Sequence, residues 1–356
     1  MHDAGTAVAG AAVEAPRQES HKVRDWITAN AILVVLAALV LGIALIDPAF
    51  VSVLNLRNIL NFSSTRLIIA LGAGIVLISR GVDLSAGRMV GLAAVVSASM
   101  LQTETYSRRF FPDLPQLQMW LPILIAIVVC AAMGAINGIV IAKLGVPPFI
   151  ATLGMMVIVY GANAIYFDRE PNNSQPIGGL RSDFTNLGTG SIGDGDWSVP
   201  YLVVIAATIA LLFWFLLNKT VFGKQMYALG GNPHAAQVAG VAIARNLIII
   251  YALAGAAYGV GGVLEAARTG GANSTYGTLY ELDAIAACVV GGVSTVGGVG
   301  RVGGIVAGVL VFGVINYGLT FIGVNPFWQQ IIKGVIIISA VAFDLYRSRK
   351  HGLTRV

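Results

Sequence analysis

Two short strings set carboxylates and hydroxyls beside otherwise apolar runs. GVDLSAGR places Asp83 two residues before Ser85, and YELDAIAAC places Glu281 two residues before Asp283. At a helix start such groups accept from free backbone N–H groups and complement the positive end of the helix dipole. Capping is the first reading; they could also line the ends of a polar path, and the sequence leaves that second reading open. Other chemistry has no residues to carry it. No G-x-x-x-x-G-K-[ST] phosphate loop occurs; the nearest string, Phe222-Gly223-Lys224-Gln225, lacks the first glycine and the hydroxyl, so this chain is not expected to hydrolyse ATP. The four histidines, His2, His21, His234 and His351, fall in tails or in one loop, which argues against a membrane metal site or a Ser/His hydrolase. Cys130 and Cys288 lie inside apolar runs and read as small buried hydrophobes, with no disulfide framework. Neither a catalytic residue nor a metal site is expected.

The elements that must position these groups are membrane helices. Of 356 residues, 56% are hydrophobic and only 11% charged, too few to cover a soluble protein of this size. The mean hydropathy is +0.80, and several windows of about 18 residues carry almost no charge, the signature of membrane spans. The fold class expected is an all-α polytopic membrane protein. Spans are predicted at 27–46, 66–80, 85–101, 121–143, 148–167, 199–217, 247–266, 282–294, 303–322 and 328–346. The 43 glycines suit helices that approach closely in lipid. Residues 1–25 lack the apolar core of a signal peptide and read as a disordered tail; 26–346 form the transmembrane domain, and 347–356 a basic tail.

Charge sets the orientation. The loop 218–246 carries Lys219, Lys224 and Arg245 and no acid, and the C-terminal tail carries Arg347, Arg349, Lys350 and Arg355. The loop from Asp168 to Val199 holds Asp168, Glu170, Asp183, Asp194 and Asp196 against Arg169 and Arg181. By the positive-inside rule the first two are cytoplasmic and the third is external, so both termini lie inside. The basic balance reflects this rule, and nucleic acid is not an expected partner.

GAINGIVIAKLGVPPFI from Gly134 and GVINYGLTFIGVNPFW from Gly313 share G-x-I-N, Gly-Val and x-Pro-Phe in the same order. The copies sit five spans apart, which makes an inverted repeat and points to a transporter. Spans 66–80 and 282–294 look short, and the glycines Gly291, Gly292, Gly297, Gly298 and Gly300 suggest a broken helix, tolerated only inside protein or beside a cavity. Arg88, Glu265, Arg301 and Lys333 fall near predicted span ends, leaving the centres without the ionisable groups an ion-coupled carrier needs. A transporter without its own energy source is the expectation.

ALGGNPHAAQVAGVAIARN, 228–246, interrupts this apolar chain with a small, terminated helix. Asn232 stands at the N-cap, Pro233 at the first helical position and Gly240 where a left-handed cap ends the helix. So short a helix is marginal alone and is expected to dock on something. The string GGNPHAAQVAGV, with GVDLSAGRMVGLAAVV, PFIATLGMMVIVYG and ELDAIAACVVGGVSTVGGVG, resembles the permease subunits of bacterial ABC sugar importers in the ribose, xylose, arabinose and galactose group. The likeness runs from about Asp47 to Asp344 and fades in the tails and the acidic outer loop.

The resemblance implies a homodimer in the bacterial inner membrane with one central path, cytoplasmic ATP-binding subunits that hold ATP and Mg, and an external sugar-binding protein. It implies no cofactor on this chain. It makes the small helix a coupling helix, with Gly231, Asn232, Ala235, Ala236 and Gly240 as its residues; Ala235 and Ala236 are small enough for close docking. Asn137, Phe149, Asn316 and Phe327 are candidates for the sugar path, each equally explicable by helix packing. The cargo expected is a monosaccharide, galactose or a galactoside first. Alternatives are an ion-coupled secondary carrier, or the same machinery for ribose, xylose, a furanoside or a branched-chain amino acid, with a membrane enzyme last.

Overall fold

A computed structural model describes residues 31–195 and 197–350. The predicted N-terminal tail, His2, His21, Asp196 and residues 351–356 lie outside the described residues. All ten predicted spans contain helix: α1 (Ala31–Ile46), α2 (Val53–Ile78), α3 (Ala86–Met100), α4 (Trp120–Leu144), α5 (Pro148–Phe167), α7 (Tyr201–Lys219), α10 (Ile243–Thr269), α11 (Tyr280–Val290), α12 (Val302–Phe321) and α13 (Pro326–Lys350). Helix α6 (Ser182–Thr189) and a two-stranded ribbon, β1 (Ser191–Ile192) with β2 (Val199–Pro200), occupy the acidic loop. Helices α8 (Val221–Gly231) and α9 (Pro233–Val238) occupy the basic loop. Among the described residues, six helices are long and apolar enough to cross a membrane: α2, α4, α5, α7, α10 and α12.

The long helices α2 and α10 sit at the centre, wrapped by the others. Small residues allow this closeness. The Cα of Gly134 on α4 lies against the Tyr251 carbonyl of α10, leaving no room for a methyl group. Its counterpart in the repeat, Gly313 on α12, lies close against the Ser63 hydroxyl of α2. Five spans apart, α2 corresponds to α10 and α4 to α12, so the two close contacts exchange under the repeat. The repeat read from two short strings thus has a counterpart in the packing, where corresponding helices make corresponding close contacts.

One length expectation is corrected. The second span is not short: α2 runs 26 residues from Val53, and its polar first half had masked it. The short pair is α3, with 15 residues, and α11, with 11, which are each other's counterparts in the repeat. Each follows a non-helical stretch. After α2 the chain turns at Arg80 (φ 67°), and after α10 it runs irregularly to Leu279 (φ 66°).

The two short helices begin inside the protein. Ser85, just before α3, accepts from Asn137 on α4, seven residues before that helix ends at Leu144. At 1.5 Å per residue this is about 10 Å from the end carrying α8 and α9. On the other side, the Val90 carbonyl of α3 lies against Gly262, seven residues before α10 ends at Thr269, again about 10 Å in. Gly87 at the start of α3 lies against Gly277 and Glu281 at the start of α11. The starts of two opposed half-length helices thus meet near mid-depth. This also corrects the placement of Arg88: it sits near a helix end, but that end is far from either face.

Candidate functional site

At the junction of the half-length helices, Asp83 is 2% exposed, and its Oδ1 accepts the Ser85 N–H at 2.9 Å and the Ser85 hydroxyl at 2.5 Å. The Asn137 amide donates to the same Ser85 oxygen at 3.0 Å. Asp83 therefore serves the turn into α3, while Ser85 makes no side-chain cap on the helix itself. Glu281 and Asp283 lie in the first turn of α11, where negative charge complements the positive end of the helix dipole. They then diverge: Asp283 pairs with Lys333 of α13 at 3.1 Å, and Glu281 points to Gly87.

A larger ionic network binds α2, α10 and α11 together. Glu265 of α10, 2% exposed, accepts from Thr65 (2.9 Å), Arg66 (3.2 Å), Arg268 (2.8 Å) and the Tyr280 hydroxyl (3.0 Å). Arg66 also stacks 3.7 Å from the centre of the Tyr280 ring. Every lone pair of the buried carboxylate has a partner, which is the condition under which such a group is stable at all.

The path candidates separate. Asn137 is buried and donates its amide to Ser85. Asn316 donates to the Phe312 carbonyl and lines a cavity of about 20 Å³ with Arg66, Tyr280 and Asp283, room for one water and not a sugar. Phe149 (56% exposed) and Phe327 (79%) stand outside, at the first turns of α5 and α13.

The small helix is built as its sequence reads. The Asn232 side chain accepts the Ala235 N–H at 3.0 Å. Gly240 takes φ +83°, with Gly240 N–H bonded to Gln237 O and Val241 N–H to Ala236 O, the paired bonds of a Schellman stop. One expectation fails: Ala236 is 3% exposed and packs inward, so it cannot offer its methyl to another protein. Ala235 and Val238 are exposed, the latter to 91%, as are His234 and Gln237. A groove lined by Pro233, His234, Gln237, Ala242 and Arg245 runs alongside. Gly231 ends α8, and Gly230 and Gly231 pack on Gly297 and Gly298 of the α11–α12 connection. Tyr227 donates its hydroxyl to the Gly300 carbonyl at 2.9 Å, and burial raises its phenol above the ordinary value, keeping it a donor.

A family model described as "Branched-chain amino acid transport system / permease component" matches residues 55–341. The chain belongs to this family. It is 52% identical over 93% of its length to the galactose/methyl galactoside import permease protein of Haemophilus influenzae, covering 98% of that protein. It is 51% identical to the same-named protein of Escherichia coli K12, over 90% of this chain and 94% of that one. To the ribose import permease protein of Escherichia coli K12 it is 35% identical, over 90% and 95%. No solved structure matches.

In this permease component the sequence reading missed Val238, the Glu265 network and the tie from Tyr227 to Gly300. Val238 had a signal: a large apolar residue in the last turn of a helix already marked for docking. The Glu265 network had none, because its partners lie up to 200 positions apart.

Proposed function

We propose that this chain is the membrane-spanning subunit of an ABC importer that passes galactose or a methyl galactoside inward, driven by ATP hydrolysis on separate subunits. The observation that carries the reading is the capped helix α9, seated on the permease body through Ala236 with Val238 and Ala235 turned outward. A partner could press on such a rigid projection, and the contacts of Gly230 and Gly231 with Gly297 and Gly298 would carry the displacement to the half-length helix α11. The loop has basic residues and no acid, so the partner groove should be acidic or neutral around an apolar socket.

On this reading the partner and both termini lie on the cytoplasmic side of a bacterial inner membrane, which the basic charge of loop 218–246 and of the C-terminal tail supports. An external binding protein would deliver the sugar to the opposite face, and two copies of the chain would enclose the path. Identity above 50% to import permeases named for galactose favours that cargo over ribose. The test is uptake of radiolabelled galactose by cells lacking their own galactose permease and supplied with this chain and its partner subunits. Uptake should survive an uncoupler, stop on ATP depletion, and be displaced by methyl galactoside and not by ribose or leucine. Uptake by the chain alone, abolished by an uncoupler, would establish an ion-coupled carrier instead.

A further inference from the structure

Two charged groups where the half-length helices meet, Arg88 and Glu281, enter no ion pair among the described residues. Arg88, on the first turn of α3, gives one N–H to the Thr278 hydroxyl at 3.2 Å and lies 4.8 Å from the centre of the Tyr160 ring. Thr278 is exposed, and Tyr160 is 50% exposed. Glu281 is 8% exposed, forms no ion pair among the described residues, and aims its carboxylate across at Gly87. This face lies about 10 Å from either end of the neighbouring helices, by the residue counts along α4 and α10.

An arginine turned to hydrocarbon at such depth is costly even on the most lenient scale. Arg88 is also further from a helix terminus at the surface than its side chain can snorkel. The face must therefore meet water or protein. Its groups are those a sugar uses: a guanidinium with unspent donors, a carboxylate acceptor, and an aromatic face against which the C–H side of a pyranose can lie. The backbone supports the same use, since opposed half-helices in inverted repeats converge where substrates cross.

We infer that Arg88, Tyr160, Thr278 and Glu281 form a mid-membrane contact site for the sugar in transit. The inference rests on the sugar-importer reading. The site grips from one side only, so it holds the sugar weakly and releases it readily. Gly87 and Gly277 let the two helix starts touch, which brings Glu281 of one half beside Arg88 of the other.

The test uses the assembled transporter in proteoliposomes, with Thr278→Cys and a charged methanethiosulfonate reagent. The native cysteines, Cys130 and Cys288, are buried, so the unsubstituted protein should not react. Thr278→Cys should label, and saturating galactose should slow labelling several-fold while ribose does not. In uptake, Glu281→Gln and Arg88→Gln should raise KM for galactose about tenfold, and Arg88→Lys should restore only part, because it keeps the charge and loses the fork. A wild-type transporter that moves galactose while Thr278→Cys stays unlabelled, or labels at a rate indifferent to galactose, overturns the site and leaves the importer reading intact. A wild-type assembly that moves no galactose overturns the importer reading, and the site with it.

Discussion

Gly298 donates its backbone N–H to the carbonyl of Ile78 at 2.8 Å, tying the connection after α11 to the last residue of α2. Gly230, at the end of α8, lies against the same carbonyl. Three segments far apart in sequence therefore share one oxygen, directly beneath the helix that projects toward a partner.

Adding one methyl at this point should break the junction. Gly230→Ala would drive its Cβ into Ile78 O, with an overpacking cost of about 1–3 kcal/mol. Gly231→Ala meets nothing within 4 Å and serves as the control. Thermal unfolding in detergent should show a lower midpoint for the first and not the second. Uptake should fall with Gly230→Ala by more than the loss of folded protein accounts for.

Removal of the cap loosens α9. Asn232→Ala forfeits the bond to the Ala235 N–H, about 1 kcal/mol, whereas Asn232→Asp or Asn232→Ser keeps an acceptor. Amide hydrogen exchange at Ala235 should accelerate about fivefold in the alanine variant and stay near the native rate in the other two.

The Glu265 network is structural, and its loss should be severe. Glu265→Ala leaves Arg66 and Arg268 without their shared carboxylate, a change of about 3–5 kcal/mol for a buried pair broken from one side. Tyr280→Phe removes one bond to a charged group, about 1.5–3 kcal/mol. Melting midpoints should rank native, Tyr280→Phe, Glu265→Ala in falling order.

Much of this architecture could be read from the chain. Apolar windows fell on helix at all ten predicted spans, six of them long and apolar enough to cross a membrane, and Asn232, Pro233 and Gly240 marked both ends of α9, because those signals are local. The first half of α2 escaped because Arg57, Asn58, Asn61, Ser63, Ser64, Thr65 and Arg66 depress its hydropathy. Their partners lie elsewhere: Asn58 donates to Tyr317, and Thr65 and Arg66 to Glu265. A window along the sequence cannot see pairing across 200 residues. Ala236 shows the opposite failure. Alanines 235 and 236 look alike in a string, and only the rotation of a six-residue helix decides which one faces the body.

That rotation yields the most direct test. Val238→Arg changes a residue that is 91% exposed, with an expected effect on stability within about 0.5 kcal/mol. Ala236→Arg forces a charge into a packed site and should unfold the helix, so it cannot distinguish docking from folding. The measurement is ATPase activity in a gentle detergent pull-down of the tagged chain from its native membranes, native against Val238→Arg, with the melting midpoint of each. The account predicts that ATPase activity accompanies the native chain and is lost with Val238→Arg at an unchanged midpoint. ATPase activity equal in both samples, or absent from a native complex shown to be intact, would contradict it.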